Sequence, residues 1–299
     1  MTVAQISEDA LSEYEKSMDT VARDFYEQLL IILNTFSKNG TLVVNQAQLA
    51  QLDAKIYEAL KDADYMKATD KYLENFDKVA QVNKAWYKKQ RINITDAILR
   101  RPQIEYTISQ TVDGLRRAGV RDFMVKPIAN ILRQDVLLGL TYEATAEKLR
   151  KQTIGSKIKT ATGEIRVDDG YIKKYVKQIS KDALNKYGRA VSAQIIKEFN
   201  LKYFYYVGSL KDTSRPICIR LRDLSDGGTL TKAQIDKEVE EYCPNGTPSE
   251  DEITVTVNGI TKTMKKGSGM EDGTTPANFP DVCGGYGCDH ELMGTRSPK

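Results

Sequence analysis

The run Lys202-Tyr203-Phe204-Tyr205-Tyr206-Val207-Gly208 decides the reading of the fold. Four consecutive aromatics and a valine carry no helical spacing and predict a β-strand. Aromatics of this kind can stack on nucleic-acid bases, but a buried strand accounts for them better. The strand leads into Ser209-Leu210-Lys211-Asp212-Thr213-Ser214-Arg215-Pro216-Ile217-Cys218, a turn dense in the residues that set turns, ending at a cysteine.

Upstream of this strand the chain is written in a different period. Leu11, Tyr14, Met18, Val21 and Phe25, then Leu29, Ile32, Leu33 and Phe36, form one stripe at 3–4 spacing. They predict a long first helix, capped by Ser7 and closed by Lys38-Asn39-Gly40. Its heptad-like steps suit a coiled coil, and still better a helix packed in a bundle. Leu49, Leu52, Ile56 and Leu60 mark a second helix; Tyr72, Phe76, Val79, Val82 and Trp86 mark a third. Thr95-Asp96 opens another, restarted at Pro102, with Ile104, Ile108, Val112 and Leu115 on its apolar face and Gly119 as its cap. Residues 123–138 are expected to be helical after Pro127.

Past Thr153 the pattern changes. Residues 157–160 and 164–167 alternate around Ala161-Thr162-Gly163 and predict a basic hairpin. One long helix is expected over about 170–200. Another covers 230–242 with Thr231 as N-cap. Ile253 to Met264, turning at Asn258-Gly259, is a strong hairpin signal. The fold class is therefore α+β. Residues 1–145 form a mainly α-helical, partner-binding N-terminal half, and residues 146–299 form a smaller α+β domain containing β-hairpins.

The composition, 40% hydrophobic and 28% charged over 299 residues, is that of a globular chain able to bury its own core. No apolar run approaches the ~20 residues that span a bilayer. The first 16 residues lack a secretory signal's basic start and apolar run, so synthesis in a cytoplasm is expected. The net charge of +3 is unevenly placed: residues 148–222 hold 18 Lys and Arg against 6 Asp and Glu. Lys157, Lys159, Arg166, Lys173, Lys174, Lys177 and Lys181 are the candidate contacts to DNA or to an acidic protein rim; a solvated basic face is the plainer reading.

All four cysteines, Cys218, Cys243, Cys283 and Cys288, lie in the last third, and the only histidine, His290, follows them. Cys218, Cys283, Cys288 and His290 are the types of ligand that zinc takes. The spacings C-x4-C and C-x-H are not those of a zinc knuckle. A Cys–His nucleophilic site would need His290 as base. The third reading is architectural, with buried thiols or one disulfide and a hydrogen-bonded histidine closing the terminal loop.

The order of these features resembles the phage Mu F-like minor head, or head morphogenesis, family of tailed bacteriophages. The resemblance is carried by Gly139-Leu140-Thr141 before an amphipathic helix, the long helix over 170–200, and Tyr206-Val207-Gly208. It continues through Asp212-Thr213-Ser214-Arg215-Pro216-Ile217-Cys218 and Gly284-Gly285-Tyr286-Gly287-Cys288-Asp289-His290. It covers about 135–293. Glu291 follows the histidine where the family often has an aromatic, Ile217 stands where Phe is common, and the insertion with Cys243 and the 253–264 hairpin is not placed by the resemblance. The resemblance implies a non-enzymatic virion protein inside the head near the portal vertex. Such a protein acts in head assembly, DNA packaging or ejection, with the portal protein, the major capsid protein and packaged DNA as partners. It implies an architectural motif of Gly208, Asp212, Arg215, Cys218, Gly284, Gly285, Cys288 and His290, and no catalytic residue. The alternative from another class is a zinc-stabilised nucleic-acid-binding module.

Overall fold

The computed structural model describes residues 2–159, 165–225, 227–285 and 288–298. The fold is α+β, predominantly helical, with small antiparallel sheets that include hairpins in the C-terminal part. Two compact units are present, and neither is continuous in sequence. One comprises Met1–Glu8, Asn75–Ser109 and Lys181–Lys299; the other comprises Asp9–Glu74 and Gln110–Ser180. A boundary at 145–146 falls inside the helix Tyr142–Thr153. The reason is packing: the helix Ala183–Glu198 lies against Asn75–Lys89, so part of the helical half completes the C-terminal core.

The first helix runs Val3–Asn34, its first residues belonging to the first unit and the rest to the second, and its cap differs from the expected one. Thr2 and Gln5 make the reciprocal bonds of a capping box: Thr2 N donates to Gln5 Oε1 at 2.9 Å and Gln5 N to Thr2 Oγ1 at 3.2 Å. Ser7 is a buried residue within the helix. Lys38-Asn39-Gly40 does not close that helix either. Asn39 (φ 51°) and Gly40 (φ 78°) turn a short hairpin, Ser37–Lys38 with Thr41–Leu42. Tyr14 stacks on Tyr72 at 4.8 Å, and Met18, Phe25, Leu29 and Leu33 are fully buried.

Gly139-Leu140-Thr141 has a complete physical explanation. Gly139 (φ 62°) follows the helix Lys126–Leu137; its N–H bonds Val136 O at 3.2 Å and that of Leu140 bonds Asp135 O at 3.0 Å, a Schellman ending. Thr141 then caps Tyr142–Thr153, its Oγ1 accepting from Ala144 N at 3.2 Å. Gly119 is not a cap: it lies in the helical turn Ala118–Val120, where a Cβ would strike Tyr175 Oη and Gly114. The basic hairpin is Gly155–Lys159 with Ile165–Asp169; its turn, 160–164, lies outside the described residues.

The helix expected over 170–200 is two helices, Tyr171–Ser180 and Ala183–Glu198. Two bonds mark the break: Ser180 O accepts from the distant Tyr72 Oη at 2.9 Å, and Ser180 Oγ bonds back to Val176 O at 2.7 Å. In the first unit the strand Tyr203–Val207 is central in a three-stranded antiparallel sheet, between Leu230–Thr231 and Glu291–Thr295. Phe204 and Tyr206 point into the core, and Tyr205 meets Trp86 edge-on at 5.6 Å on the other face. Thr231 caps Lys232–Tyr242 with a full capping box, as expected. Glu252–Val257 and Ile260–Lys265 pair around Asn258-Gly259, also as expected.

Candidate functional site

The strand Tyr203–Val207 delivers the chain into the helix Pro216–Ser225, with Cys218 in its first turn. The strand Glu291–Thr295 pairs beside it, Tyr206 opposite Leu292 and Val207 opposite Glu291. This pairing carries His290 and Cys288 back over Cys218. Their Sγ atoms lie 3.7 Å apart, and His290 Nδ1 lies 3.7 Å from Cys288 Sγ. The three ligand atoms fall within 4.8 Å of one another, and all three residues are buried. Among the described residues this is the group able to hold a metal ion.

Tyr206 clamps the cluster. Its ring stacks on His290 at 5.1 Å with 7° between planes, and its hydroxyl donates to Cys218 Sγ at 3.3 Å. Two glycines allow the approach. At Gly208 (φ 141°) a Cβ would come within 2.6 Å of the His290 ring; at Gly284 it would come within 2.6 Å of Cys218 Sγ and 3.1 Å of Cys288 Sγ. Both positions are tied to glycine by space, and Gly208 also by backbone conformation. Arg215 runs between Gly269 and Gly284, and Gly285 packs on the Gly269 carbonyl. Tyr286 and Gly287 lie outside the described residues.

The remaining predicted residues sit elsewhere. Cys283 is buried in the same core, but its Sγ faces the Pro280 carbonyl at 4.0 Å and does not join the triplet. It occupies the second position of the turn from Val282 to Gly285, closed by Gly285 N to Val282 O at 2.9 Å, with φ 48° and ψ −125°. That conformation belongs to glycine in a type II′ turn and costs a cysteine on the order of 1–3 kcal/mol. Asp212 serves the 253–264 hairpin: its Oδ1 accepts from Asn258 Nδ2 at 3.0 Å and its carbonyl from Lys262 Nζ. The hairpin, which the family resemblance left unplaced, packs Val255 and Val257 on Ile219.

Arg189 is the residue that sequence reasoning missed. It is 1% exposed, on the helix Ala183–Glu198. Its Nε donates to Asp281 O at 3.0 Å, Nη1 to Cys288 O at 2.6 Å, and Nη2 to the buried Asp182 carboxylate at 3.3 Å. One guanidinium thus fixes the backbone on both sides of the terminal glycine turn. Asp182 and Arg189, seven apart, share a helix face, which is the one signal the sequence offered. Asp289 is held by Asn185 Nδ2 at 3.1 Å and Lys211 Nζ at 2.6 Å.

Protonation follows from burial and these contacts. Cys218 and Cys288 titrate together. Cys288 loses its proton first, because the Cys218 S–H faces its sulfur and His290 and Arg189 lie beside it; Cys218 is held well above the usual thiol range. Burial pushes the Cys283 thiol and the Tyr206 phenol well up. Burial also raises Glu291 to about 7, although it accepts a hydrogen bond from Ser192 Oγ. His290 Nε2 is buried with no partner among the described residues. A cavity of about 270 Å³ borders Val207, Gly208, Arg222, Asp289 and His290, and no cysteine lines it.

The candidate DNA-contacting lysines are largely engaged. Lys173 bridges Asp19 at 2.9 Å and Asp169 at 3.4 Å, Lys174 meets Asp168 at 2.5 Å, and Lys177 meets Glu15 at 3.2 Å. Lys181 also has a partner. Lys157 is exposed, and the side chains of Lys159 and Arg166 lie outside the described residues.

No family model, curated protein or solved structure matches this chain. No helix among the described residues is long and apolar enough to cross a membrane.

Proposed function

We propose that this chain is a non-enzymatic minor head protein of a tailed bacteriophage, placed inside the head near the portal vertex and acting in head assembly and DNA packaging or ejection. The reading rests on the ordered motif that resembles the Mu F-like family. The observation that carries it is how the two halves of that motif meet. Segments around Cys218 and Cys288, 70 residues apart, close on each other in a core sealed by Tyr206 and Arg189. Gly208 and Gly284 are required there by close approach rather than by chemistry.

Sealing also argues against the Cys–His nucleophile. Cys288 is the more acidic thiol, yet it is buried and does not line the neighbouring cavity. A nucleophile must be reachable by its substrate. The partners of the proposed protein are the portal protein, the major capsid protein, or both. Contact with packaged DNA through Lys173, Lys174 and Lys177 requires them to leave carboxylates of the same chain. Binding should therefore be weak, independent of sequence and lost as salt rises.

The test is quantitative mass spectrometry of gradient-purified particles from the host strain that carries the gene. A few copies per particle, against many of the major capsid protein, is the expected result. Retention in emptied heads would assign the protein to the portal vertex, and its loss would assign it to ejection with the genome. Absence from full and empty particles alike would overturn the reading.

A further inference from the structure

We propose that Cys218, Cys288 and His290 bind a zinc ion through two thiolates and the Nδ1 of the imidazole. This site stands independently of the virion reading. Zinc takes sulfur at about 2.3 Å and nitrogen at about 2.0–2.1 Å in a tetrahedron, so its sulfur–sulfur edge is about 3.7–3.8 Å and its sulfur–nitrogen edge about 3.5–3.6 Å. The Cys218–Cys288 sulfur separation is 3.7 Å, and Cys288 Sγ to His290 Nδ1 is 3.7 Å. A disulfide would need about 2.05 Å. Those two edges fit a shared ion and not a covalent bond; the third, Cys218 Sγ to His290 Nδ1, lies within 4.8 Å, and the three side chains leave the fourth tetrahedral position to a water or another donor.

Charge and orientation agree with this. Two thiolates and a neutral imidazole balance a divalent cation, so the buried site is neutral when filled. Arg189, the buried cation beside it among the described residues, already has Asp182 as its counter-ion. The His290 ring is fixed by stacking on Tyr206, with Nδ1 facing Cys288 Sγ. Gly284 keeps the space beside both sulfurs clear, because any side chain there would strike Cys218 Sγ. Softness of the donors selects zinc over magnesium or calcium, which prefer oxygen.

The chain also contains its own control. Cys243 is buried in the same core but stands outside the triplet. The full-length protein, expressed with zinc and purified without metal resin, should carry one zinc per chain by elemental analysis. Cys218→Ser and Cys288→Ser should lose it, and Cys243→Ser should keep it. Should the serine variants fail to fold, cobalt(II) exchange into the wild-type chain still decides the matter: a thiolate-to-cobalt charge-transfer band with tetrahedral ligand-field absorption is expected. Folded wild-type protein free of stoichiometric zinc, a cobalt complex without that band, or zinc retained in both Cys218→Ser and Cys288→Ser would overturn the site.

Discussion

Two regions drew attention in the sequence, the Gly–Cys–His terminus and the basic stretch 148–222, and they fare differently in three dimensions. The first gathers into a buried, mutually braced cluster. Much of the second is taken up in ordinary ion pairs: Lys148 with Asp135, Arg150 with Glu147, Lys173 with Asp19, Lys177 with Glu15, and Lys211 with Asp289. The lesson is physical. A local charge count sums residues adjacent in sequence, whereas a surface potential sums residues adjacent in space. A cysteine–glycine pattern survives folding because its reason, close approach, is a property of the fold itself.

The largest expected effect that would sharpen this contrast is at Arg189. Replacing it with Ala removes the buried guanidinium from the carbonyls of Asp281 and Cys288 and from its ion pair with Asp182. The loss should be about 3–5 kcal/mol, read by denaturant unfolding; a change under about 1 kcal/mol would break the account of a guanidinium-braced core.

Next comes Glu291. Its folded-state value of about 7 lies above the ordinary 4.5, so the folded protein prefers the proton. Its stabilising contribution is complete below about pH 4.5 and is lost as pH rises through about 7, by up to about 3 kcal/mol. Glu291→Gln should flatten that stretch of the stability curve; an unchanged slope would remove Glu291 as its source. Gly208→Ala and Gly284→Ala should each cost about 1–3 kcal/mol through overpacking against His290 and the two sulfurs. Wild-type thermal stability in either variant would mean that the close approach is not real. The smallest effect belongs to the basic face: Lys177→Gln should shift stability by no more than about 1 kcal/mol, and a larger loss would blur the distinction between the two regions.

What was legible in the sequence was local. Thr231 with Gln234, and Asn258-Gly259 between alternating strands, specify their elements through neighbours alone. The same Asn-Gly signal at Asn39-Gly40 was missed because its strands are two residues long and carry no alternation, while a preceding lysine imitates a helix end. The helix break at Lys181-Asp182 was invisible because the apolar stripe runs unbroken through Ile179, Ala183 and Tyr187; Ser180 stops the helix partly through a bond from Tyr72, 108 residues away. The cluster was half legible. Its cysteines and histidine could be named, but which cysteine stays out depended on the strained turn at Cys283. Arg189 had only Asp182, seven residues before it, as a local mark, since the carbonyls it serves lie 92 and 99 residues downstream.

The most direct test of the central claim, that the motif is a sealed architectural core and not a reactive site, is thiol labelling of the native full-length protein followed by mapping of each cysteine by mass spectrometry. The account predicts that Cys218, Cys283 and Cys288 stay unmodified until the protein is unfolded, and then react together. Rapid alkylation of Cys288 in the folded chain, with the fold retained, would contradict it.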